Sequence, residues 1–288
     1  MRDGQLEITD LLWSFDQCGR RMPVMSAEAV SVLEMRGQHR AAKILRQVPT
    51  TGAELATDAV DELGLKVHRE LSRLGEELQL GRRVASMVGA LLQQLGLGTV
   101  TPVRLVDVGC GLGQVLRSIA ASGELPPYLE LVGVDMNPVL SAEAARLARV
   151  ENLDVRFVTG NAFEPGLAIG DGPRTVVLST GLLHHLAADQ LVAFFQAQAE
   201  LRVAAFAHWD IAPCVWSTLG AWVFHQARMR QPVSRHDGVL SARRAHSADV
   251  LVAAAEQGAP GYVVDVREGS RWHPRALDVL RPIVGVRG

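Results

Sequence analysis

Apolar positions follow two different patterns along the chain, and the change falls near residue 100. Before that point they recur at a helical period, so helices are expected there. Ser26 can cap a helix over 27–47. Thr51, followed three residues later by Glu54, has the capping-box pattern that opens another helix. Residues 1–98 are therefore predicted to form a helical N-terminal region.

After residue 100, short apolar runs alternate with helical stretches. The strand-like runs lie at 103–109, 129–135, 154–160, 174–180, 203–210, 261–268 and 281–287. Helix-like stretches separate them at 114–122, 138–150, 188–201 and 248–257. Short buried strands that alternate with helices indicate a mostly parallel sheet covered on both faces. We therefore expect an α/β domain over residues 99–288, with an irregular insertion at about 211–246.

The overall charge limits the kind of partner. The 288 residues carry 29 basic and 31 acidic side chains, a formal net charge of −2. A protein that binds nucleic acid through bulk positive charge is more basic than this, so no nucleic-acid partner is expected. Because Lys43 and Lys66 are the only lysines, any basic site is built from guanidinium groups, which suit paired contacts with carboxylate or phosphate.

The cysteines and the apolar runs indicate the compartment. Cys18, Cys110 and Cys214 are sparse and far apart, which argues against a disulfide framework and against a structural zinc site. The first residues carry acids and no apolar core, so a signal peptide is not expected. No apolar run approaches the roughly 18 residues of a membrane span. The sequence thus predicts a cytoplasmic protein without a membrane partner.

The most informative segment is a glycine turn, VDVGCGLGQ at 106–114, that follows a strand-like run and opens a helix. Glycines allow a positive φ and let a ligand approach the backbone closely. In doubly wound sheets such a turn binds nucleotide-like ligands. A phosphate-binding P-loop would need a lysine that is absent here, and the dinucleotide pattern GxGxxG fails at Gln114.

Asp107, Gly109, Gly111 and Gly113 match the pattern [D/E]-x-G-x-G-x-G position by position. In this the sequence resembles the class I S-adenosylmethionine-dependent methyltransferases, whose first motif has that form. The resemblance covers about residues 100–210 well and the final hairpin loosely. It implies a doubly wound, Rossmann-like, mostly parallel sheet of seven strands with a C-terminal antiparallel hairpin. It also implies S-adenosyl-L-methionine as the cofactor.

Further residues match places where this family holds its cofactor. Asp135 ends the second strand, where the family's acid holds both ribose hydroxyls, a task for which a carboxylate is suited because it accepts two hydrogen bonds. By the same resemblance, Asn161 would meet the adenine amino group, Ala162 would supply a backbone N–H, and Phe163 would make apolar contact. The predicted cofactor site also includes the adjoining Cys110, Met136 and Thr180.

Two histidines, His184 and His185, follow the fourth strand in a Leu-His-His-Leu segment common among small-molecule methyltransferases. Methyl transfer from a sulfonium needs a base only when the acceptor carries a proton, and imidazole titrates near neutrality. Asp210 ends the fifth strand at the same edge of the sheet, so it can orient a histidine. By resemblance to related O-methyltransferases we favour His184 with Asp210, and His185 stays as the alternative. No metal is expected.

Five arginines stand against one acid between residues 226 and 246. In the family, the region after the fifth strand shapes the acceptor pocket. A cluster of guanidinium groups there favours an acceptor that bears carboxylate or phosphate. The predicted acceptor-binding residues are Arg228, Arg230, Arg235 and His236, with a solvated loop face or a dimer contact as the alternative.

Together these features predict methyl transfer from S-adenosylmethionine to a small-molecule acceptor, with O-methylation assisted by a histidine base. Two alternatives stay open. One is a methyltransferase for RNA or protein, disfavoured because the segment after the fourth strand reads STGLLHH instead of an Asn/Asp-Pro-Pro-aromatic motif. The other is a protein that binds the cofactor without catalysis. Residues 1–98 are expected to act as a lid over the cofactor or as a homodimer contact.

Overall fold

The computed structural model describes residues 5–16, 20–97, 102–126, 128–170, 172–213, 220, 223, 225–266 and 280–288. Cys18 and Cys214 lie outside the described residues. The chain divides into two compact units. The N-terminal unit comprises Met1–Leu71 and Pro213–Ala245, and the sheet unit comprises Ser72–Ala212 and His246–Gly288.

A seven-stranded sheet forms the centre of the sheet unit. Its strands are β1 (Val103–Val108), β2 (Leu129–Asp135), β3 (Arg156–Thr159), β4 (Arg174–Thr180), β5 (Ala205–Ile211), β6 (Tyr262–Val266) and β7 (Leu280–Arg287). They lie in the order β6-β7-β5-β4-β1-β2-β3. Strands β1 to β5 are parallel, while β7 runs antiparallel to both β5 and β6. The predicted fold class, with its antiparallel C-terminal hairpin, is confirmed.

The described helices lie between these strands and in the region before the first strand. In chain order they are α1 (Ser26–Met35), α2 (His39–Leu45), α3 (Thr57–Glu77), α4 (Leu80–Gln94), α5 (Gln114–Ser122), α6 (Pro138–Val150), α7 (Pro165–Ile169), α8 (Ala188–Glu200), α9 (Pro232–Arg244) and α10 (Ala248–Gly258). The start of α6 shows the local cause. Asn137 Oδ1 accepts a hydrogen bond from the Val139 backbone N–H, and Pro138 occupies the first turn.

Strand β1 is buried along its whole length, because both faces of the sheet are covered. Leu105 belongs to a core with Val84 of α4 and Leu116 of α5. Val106, which points to the opposite face, belongs to a second core that includes Phe194 of α8. Burying each side chain of this size contributes about 1.5–3 kcal/mol. The carboxyl ends of the central strands are thereby held as a rigid edge.

The N-terminal unit has its own core, in which Ile8, Leu33, Leu45 and Val233 are buried. Two small antiparallel ladders accompany the helices, Ser14–Phe15 with Arg21–Met22 and Thr50–Thr51 with Glu54–Leu55. The buried Asp237 carboxylate accepts hydrogen bonds of 3.0 Å from the backbone N–H groups of Ile8 and Thr9. These bonds tie α9 to the N-terminal segment of the same unit.

Three local predictions in this unit were wrong. The single helix over 27–47 is interrupted, because Gly37 adopts a positive φ of 71° between α1 and α2. Thr51 and Glu54 do not open a helix but pair across a hairpin, and α3 begins at Thr57. The stretch 211–246 was expected to be irregular, yet Pro232–Arg244 forms α9. Its few apolar side chains, such as Val233 and Leu240, made its periodicity weak.

The two units also differ from the predicted domain boundary at 98/99. Helix α4 belongs to the sheet unit, because its Val84, Val88 and Leu91 are buried in the core under the sheet. The segment Pro213–Ala245, expected as an insertion in the catalytic domain, belongs to the N-terminal unit. The cause is long-range packing of Val233 in that unit's core. Among the described residues, no helix is both long and apolar enough to cross a membrane.

Candidate active site

The glycine turn after β1 requires glycine for two separate reasons. Gly109, Gly111 and Gly113 have φ values of 70°, 54° and 66°, a region that side chains disfavour. Gly113 immediately precedes α5, and a Cβ placed on it would lie 2.2 Å from Cε1 of Phe157. The chain therefore turns sharply at the carboxyl edge of the sheet and enters α5 with no room for a larger residue at 113.

Asp135, at the end of β2, is bonded to the same turn. Its Oδ2 accepts a hydrogen bond of 2.8 Å from the Gly111 backbone N–H, and its Oδ1 accepts one of 2.9 Å from the Asn137 backbone N–H. Only 8% of Asp135 is exposed. The carboxylate is thus held in one orientation beside the glycine turn, where the sequence predicted a cofactor-binding acid.

Asp107 lies deeper, with 1% of the residue exposed. Its Oδ1 is buried and has no hydrogen-bond partner among the described residues. Burial raises the pKa of Asp107 well above its usual range, and the neighbouring Asp135 raises this pKa further. Burial also raises the pKa of the Cys110 thiol, again with contributions from Asp135 and Asp107. Cys110 is therefore a neutral thiol and no nucleophile.

The remaining predicted cofactor-binding residues follow the ends of β2, β3 and β4. Met136 is 56% exposed, an unusual position for a large apolar side chain. Asn161 Oδ1 accepts a hydrogen bond of 3.0 Å from the Phe163 backbone N–H, which closes a local turn after β3. The Phe163 ring meets Phe194 edge-on at a centroid distance of 6.1 Å. The remaining two predicted residues here, both half-buried, are Ala162 and Thr180.

His184 and Asp210 form a bonded pair at the ends of β4 and β5. The Asp210 carboxylate accepts hydrogen bonds from the His184 backbone N–H at 2.9 Å and from His184 Nδ1 at 2.8 Å. It also accepts one of 2.6 Å from the Ile211 backbone N–H. Both members of the pair are buried, with 6% and 4% exposed. The position of the two strand ends predicted that Asp210 orients a histidine, and the resemblance to O-methyltransferases favoured His184 over His185.

The electrostatics of this pair define which nitrogen carries the proton. Burial alone would raise the pKa of Asp210, but the adjacent His184 and the hydrogen bonds from His184 and Ile211 hold this pKa below its ordinary value. An ionised carboxylate only accepts, so Nδ1 of His184 donates to it, and the tautomer with this proton carries its lone pair on Nε2. His185 stacks obliquely on His184, with ring centroids 4.2 Å apart.

A second buried histidine on β5 belongs to a network that the sequence did not predict. His208 Nε2 lies 3.0 Å from Gln198 Oε1, and its Nδ1 lies 2.9 Å from Ser179 Oγ. Since the Gln198 oxygen only accepts, Nε2 donates to it and Nδ1 accepts from the Ser179 hydroxyl. Burial lowers the pKa of His208 to about 3, so the ring is neutral. The position of a polar residue, His208, inside the apolar run AFAHWD could have indicated this buried network.

The predicted acceptor-binding residues lie in the N-terminal unit, whereas the predicted cofactor and catalytic residues lie in the sheet unit. Arg228 and Arg230 are exposed. The Arg235 Nε donates a hydrogen bond of 2.7 Å to the Met229 carbonyl, and His236 Nδ1 lies 2.8 Å from Asp237 Oδ1. Part of this cluster therefore serves the structure of its own unit.

Residues 105–202 match the model of a family described as a methyltransferase domain. Over this segment the chain is similar to a methyltransferase domain. Its fold resembles the plantazolicin methyltransferase BpumL, solved in complex with S-adenosylhomocysteine, at a TM-score of 0.55 and 11% identity over 79% of this chain and 95% of that one. The plantazolicin methyltransferase BamL aligns at 0.54 and 12%, over 79% of this chain and 98% of that one. No curated protein matches the sequence significantly.

The predicted class, an S-adenosylmethionine-dependent methyltransferase, is confirmed by this match, and the likeness to the solved structures confirms the predicted fold. The predicted cofactor agrees with them. The matched segment begins at Leu105 on β1 and ends at Arg202, just after α8. It contains the glycine turn, Asp135 and both histidines of the Leu-His-His-Leu segment. Asp210 and the arginine cluster lie beyond it.

Proposed function

We propose that this protein transfers the methyl group of S-adenosylmethionine to an oxygen of a small-molecule acceptor, with His184 as the general base. The observation that supports the proposal is the pair of hydrogen bonds that Asp210 accepts from His184, one from the backbone N–H and one from Nδ1. That arrangement sets the tautomer in which Nε2 accepts a proton. The proton of an attacking hydroxyl would pass to Nε2 as oxygen bonds to the methyl carbon and the carbon–sulfur bond breaks.

The cofactor would lie across the carboxyl ends of β1, β2 and β3. Asp135 is held by two backbone bonds in a fixed orientation, and a carboxylate offers about four acceptor positions, which suits the ribose hydroxyls. The exposed Met136 and the half-buried Phe163 are apolar groups that an adenine ring would cover. The buried Asp107 would supply negative potential to a donor that carries a sulfonium charge.

The acceptor is proposed to be small and acidic, bound in part by Arg228, Arg230, Arg235 and His236. Support comes from the charge of the cluster and from the exposure of Arg228 and Arg230. Residues 1–98 are proposed to act as a lid over the cofactor or as a homodimer contact. Methyl transfer to RNA or protein, and cofactor binding without catalysis, are the competing functions.

Three measurements test this function. Calorimetric titration with S-adenosylmethionine and with NAD tests the cofactor, and binding of NAD alone would contradict the proposal. Incubation with methyl-labelled cofactor and a metabolite extract identifies the acceptor; label in RNA or protein, or in nothing, would favour the competing functions. With the acceptor in hand, His184→Asn should abolish most turnover while cofactor affinity stays unchanged. His185→Asn is the matched control, and a larger loss there would transfer the role to His185.

A further inference from the structure

The glycine turn carries an acidic cluster whose protonation state the proposed function leaves open. Asp107 is the last residue but one of β1, Asp135 ends β2, and Cys110 follows β1 in the turn, where both acids act on its thiol. The Gly111 backbone bonds Asp135, so both carboxyl groups adjoin one short loop. Two acids and a thiol enclosed together favour keeping one acid neutral, because like charges in a poorly solvated place repel.

The geometry favours the neutral, protonated form of the Asp107 carboxyl group. Its Oδ1 has no hydrogen-bond partner among the described residues, and the residue is almost completely buried. A buried, unpartnered carboxylate is far more costly than a buried, unpartnered carboxylic acid. The elevated pKa of Asp107 has the same two causes, burial and then the charge of Asp135.

The arginines on the elements around Asp107 do not lower its raised pKa. On the neighbouring strands, Gly133 of β2 and Leu178 of β4 stand opposite it. On the helices of this face, Arg83 of α4 donates to the Leu280 carbonyl and Arg117 of α5 pairs with Glu151. Arg82 of α4 is exposed. The pKa of Asp107 is therefore raised first by burial and then by the charge of Asp135.

We propose that Asp107 holds a proton in the free protein and releases it to solvent when the cationic methyl donor binds. This inference rests on the proposed function, because it needs the donor at the glycine turn. The chemistry is a simple exchange: the O–H bond of the Asp107 carboxyl breaks, the proton passes to buffer, and the donor's positive charge takes over the role of neutralising the carboxylate. The positive sulfonium need not touch Oδ1, since charges interact over several ångströms in a poorly solvated site.

The consequence is a pH-dependent donor affinity. Between the pKa of Asp107 in the complex and its higher pKa in the free protein, the donor's Kd should fall about tenfold for each unit of rising pH. Below that window the affinity should level off at its weak value. The protein would thus load its methyl donor better in neutral than in acidic conditions.

Calorimetry of S-adenosylmethionine binding tests this, with the full chain in pairs of buffers that differ in ionisation enthalpy. The titrations run from about pH 5.5 to 7.0, below the ordinary α-amino range of about 7.7–8.0, so that the ligand's amino group contributes little. We expect release of up to one proton per donor bound. Asp107→Asn, an isostere of the protonated acid, should bind without releasing a proton and with a Kd that hardly changes with pH. The exposed Asp154→Asn is the matched control and should behave as the wild type.

The outcomes separate the two proposals. If the donor binds the wild type without proton release, the linkage is overturned and the cofactor assignment stands. If release persists in Asp107→Asn, another group carries the proton and the inference about Asp107 is overturned. Absence of any donor binding overturns the proposed function itself. Should Asp107→Asn not fold, an infrared difference spectrum of the wild type decides: donor binding should remove a protonated carboxyl C=O band, and an unchanged band overturns the proposal.

Discussion

The two ends of α5 provide a matched test of why the glycine turn has its sequence. Gly113 precedes the helix with a φ of 66°, and Gly123 follows it with a φ of 64°. A Cβ at 123 would meet nothing within 4 Å, whereas a Cβ at 113 would lie 2.2 Å from both Cε1 and Cζ of Phe157. Alanine at 123 therefore tests backbone conformation alone, and alanine at 113 tests conformation together with space.

The two costs can be estimated separately. A left-handed conformation costs a non-glycine residue about 1–2 kcal/mol, and the lower unfolded-state entropy of alanine returns about 0.4–1 kcal/mol. Gly123→Ala should thus lower the free energy of unfolding by about 1 kcal/mol. Gly113→Ala carries the same cost plus about 1–3 kcal/mol for overpacking against a ring, so about 2–4 kcal/mol is expected.

Urea denaturation of the two variants measures these values, and calorimetry with S-adenosylmethionine measures the effect on the proposed site. Gly113→Ala should also weaken donor binding, because the turn must shift, while Gly123→Ala should leave the affinity unchanged. Adding Phe157→Leu to Gly113→Ala should recover about 1 kcal/mol or more of coupling energy in a double-mutant cycle. The backbone cost should persist in the double variant.

Equal destabilisation by Gly113→Ala and Gly123→Ala would refute the steric part of the reasoning. A double-mutant cycle without coupling between positions 113 and 157 would have the same meaning. If Gly113→Ala lost stability as expected but bound the donor normally, the turn would be a structural feature and the proposed cofactor position would be wrong.

Three further outcomes are expected. Asp135→Asn should weaken the binding of S-adenosylmethionine at least about tenfold in calorimetry, because the amide cannot accept both backbone hydrogen bonds and a charge-assisted hydrogen bond is worth about 1.5–3 kcal/mol. The exposed Asp154→Asn is the control, and equal effects of the two substitutions would count against the role of Asp135. Asp210→Asn should lower kcat about 10²–10⁴-fold at unchanged donor affinity, because the amide favours the wrong tautomer of His184; an unaltered rate would remove the pair from the mechanism. Unfolded histidine gains a proton near pH 6.5 but buried His208 only near about 3, so acid favours unfolding between these values. The free energy of unfolding of the wild type should therefore fall relative to His208→Gln by about 1.4 kcal/mol per pH unit, and parallel urea-denaturation curves would contradict this.

The sheet could be predicted because each of its strands is a short apolar run that must be buried on both faces. The ranges for β2 and β4 and for helices α5 and α6 agree with the observed elements. The glycine turn was equally clear, since its glycines, its preceding acid and the helix after it all depend on neighbours in sequence. Asp210 could be placed beside the histidines because parallel strands bring their carboxyl ends to one edge, and the family resemblance then favoured His184 as its partner.

The N-terminal hundred residues were harder, because hairpins and breaks there depend on single residues. Thr51 and Glu54 satisfy the local rule for a helix start, yet long-range packing favours a hairpin between them. Helix α9 was not predicted because most of its residues are polar, so its apolar residues show no clear helical period. Its few buried side chains become buried only when the unit is folded.

The sequence by itself determined the mostly parallel sheet and the glycine turn that carries the resemblance to methyltransferases, since these follow from local pattern and strand order. Only the tertiary structure decided that Pro213–Ala245 belongs with the N-terminal unit and that His208 is a neutral member of a buried network. It also decided that Oδ1 of Asp107 is buried with no hydrogen-bond partner in the part of the chain that the structure describes. The physical reason is the same in each case. Burial, hydrogen-bond satisfaction and the resulting pKa depend on groups far away in sequence, and these meet only when the chain is packed.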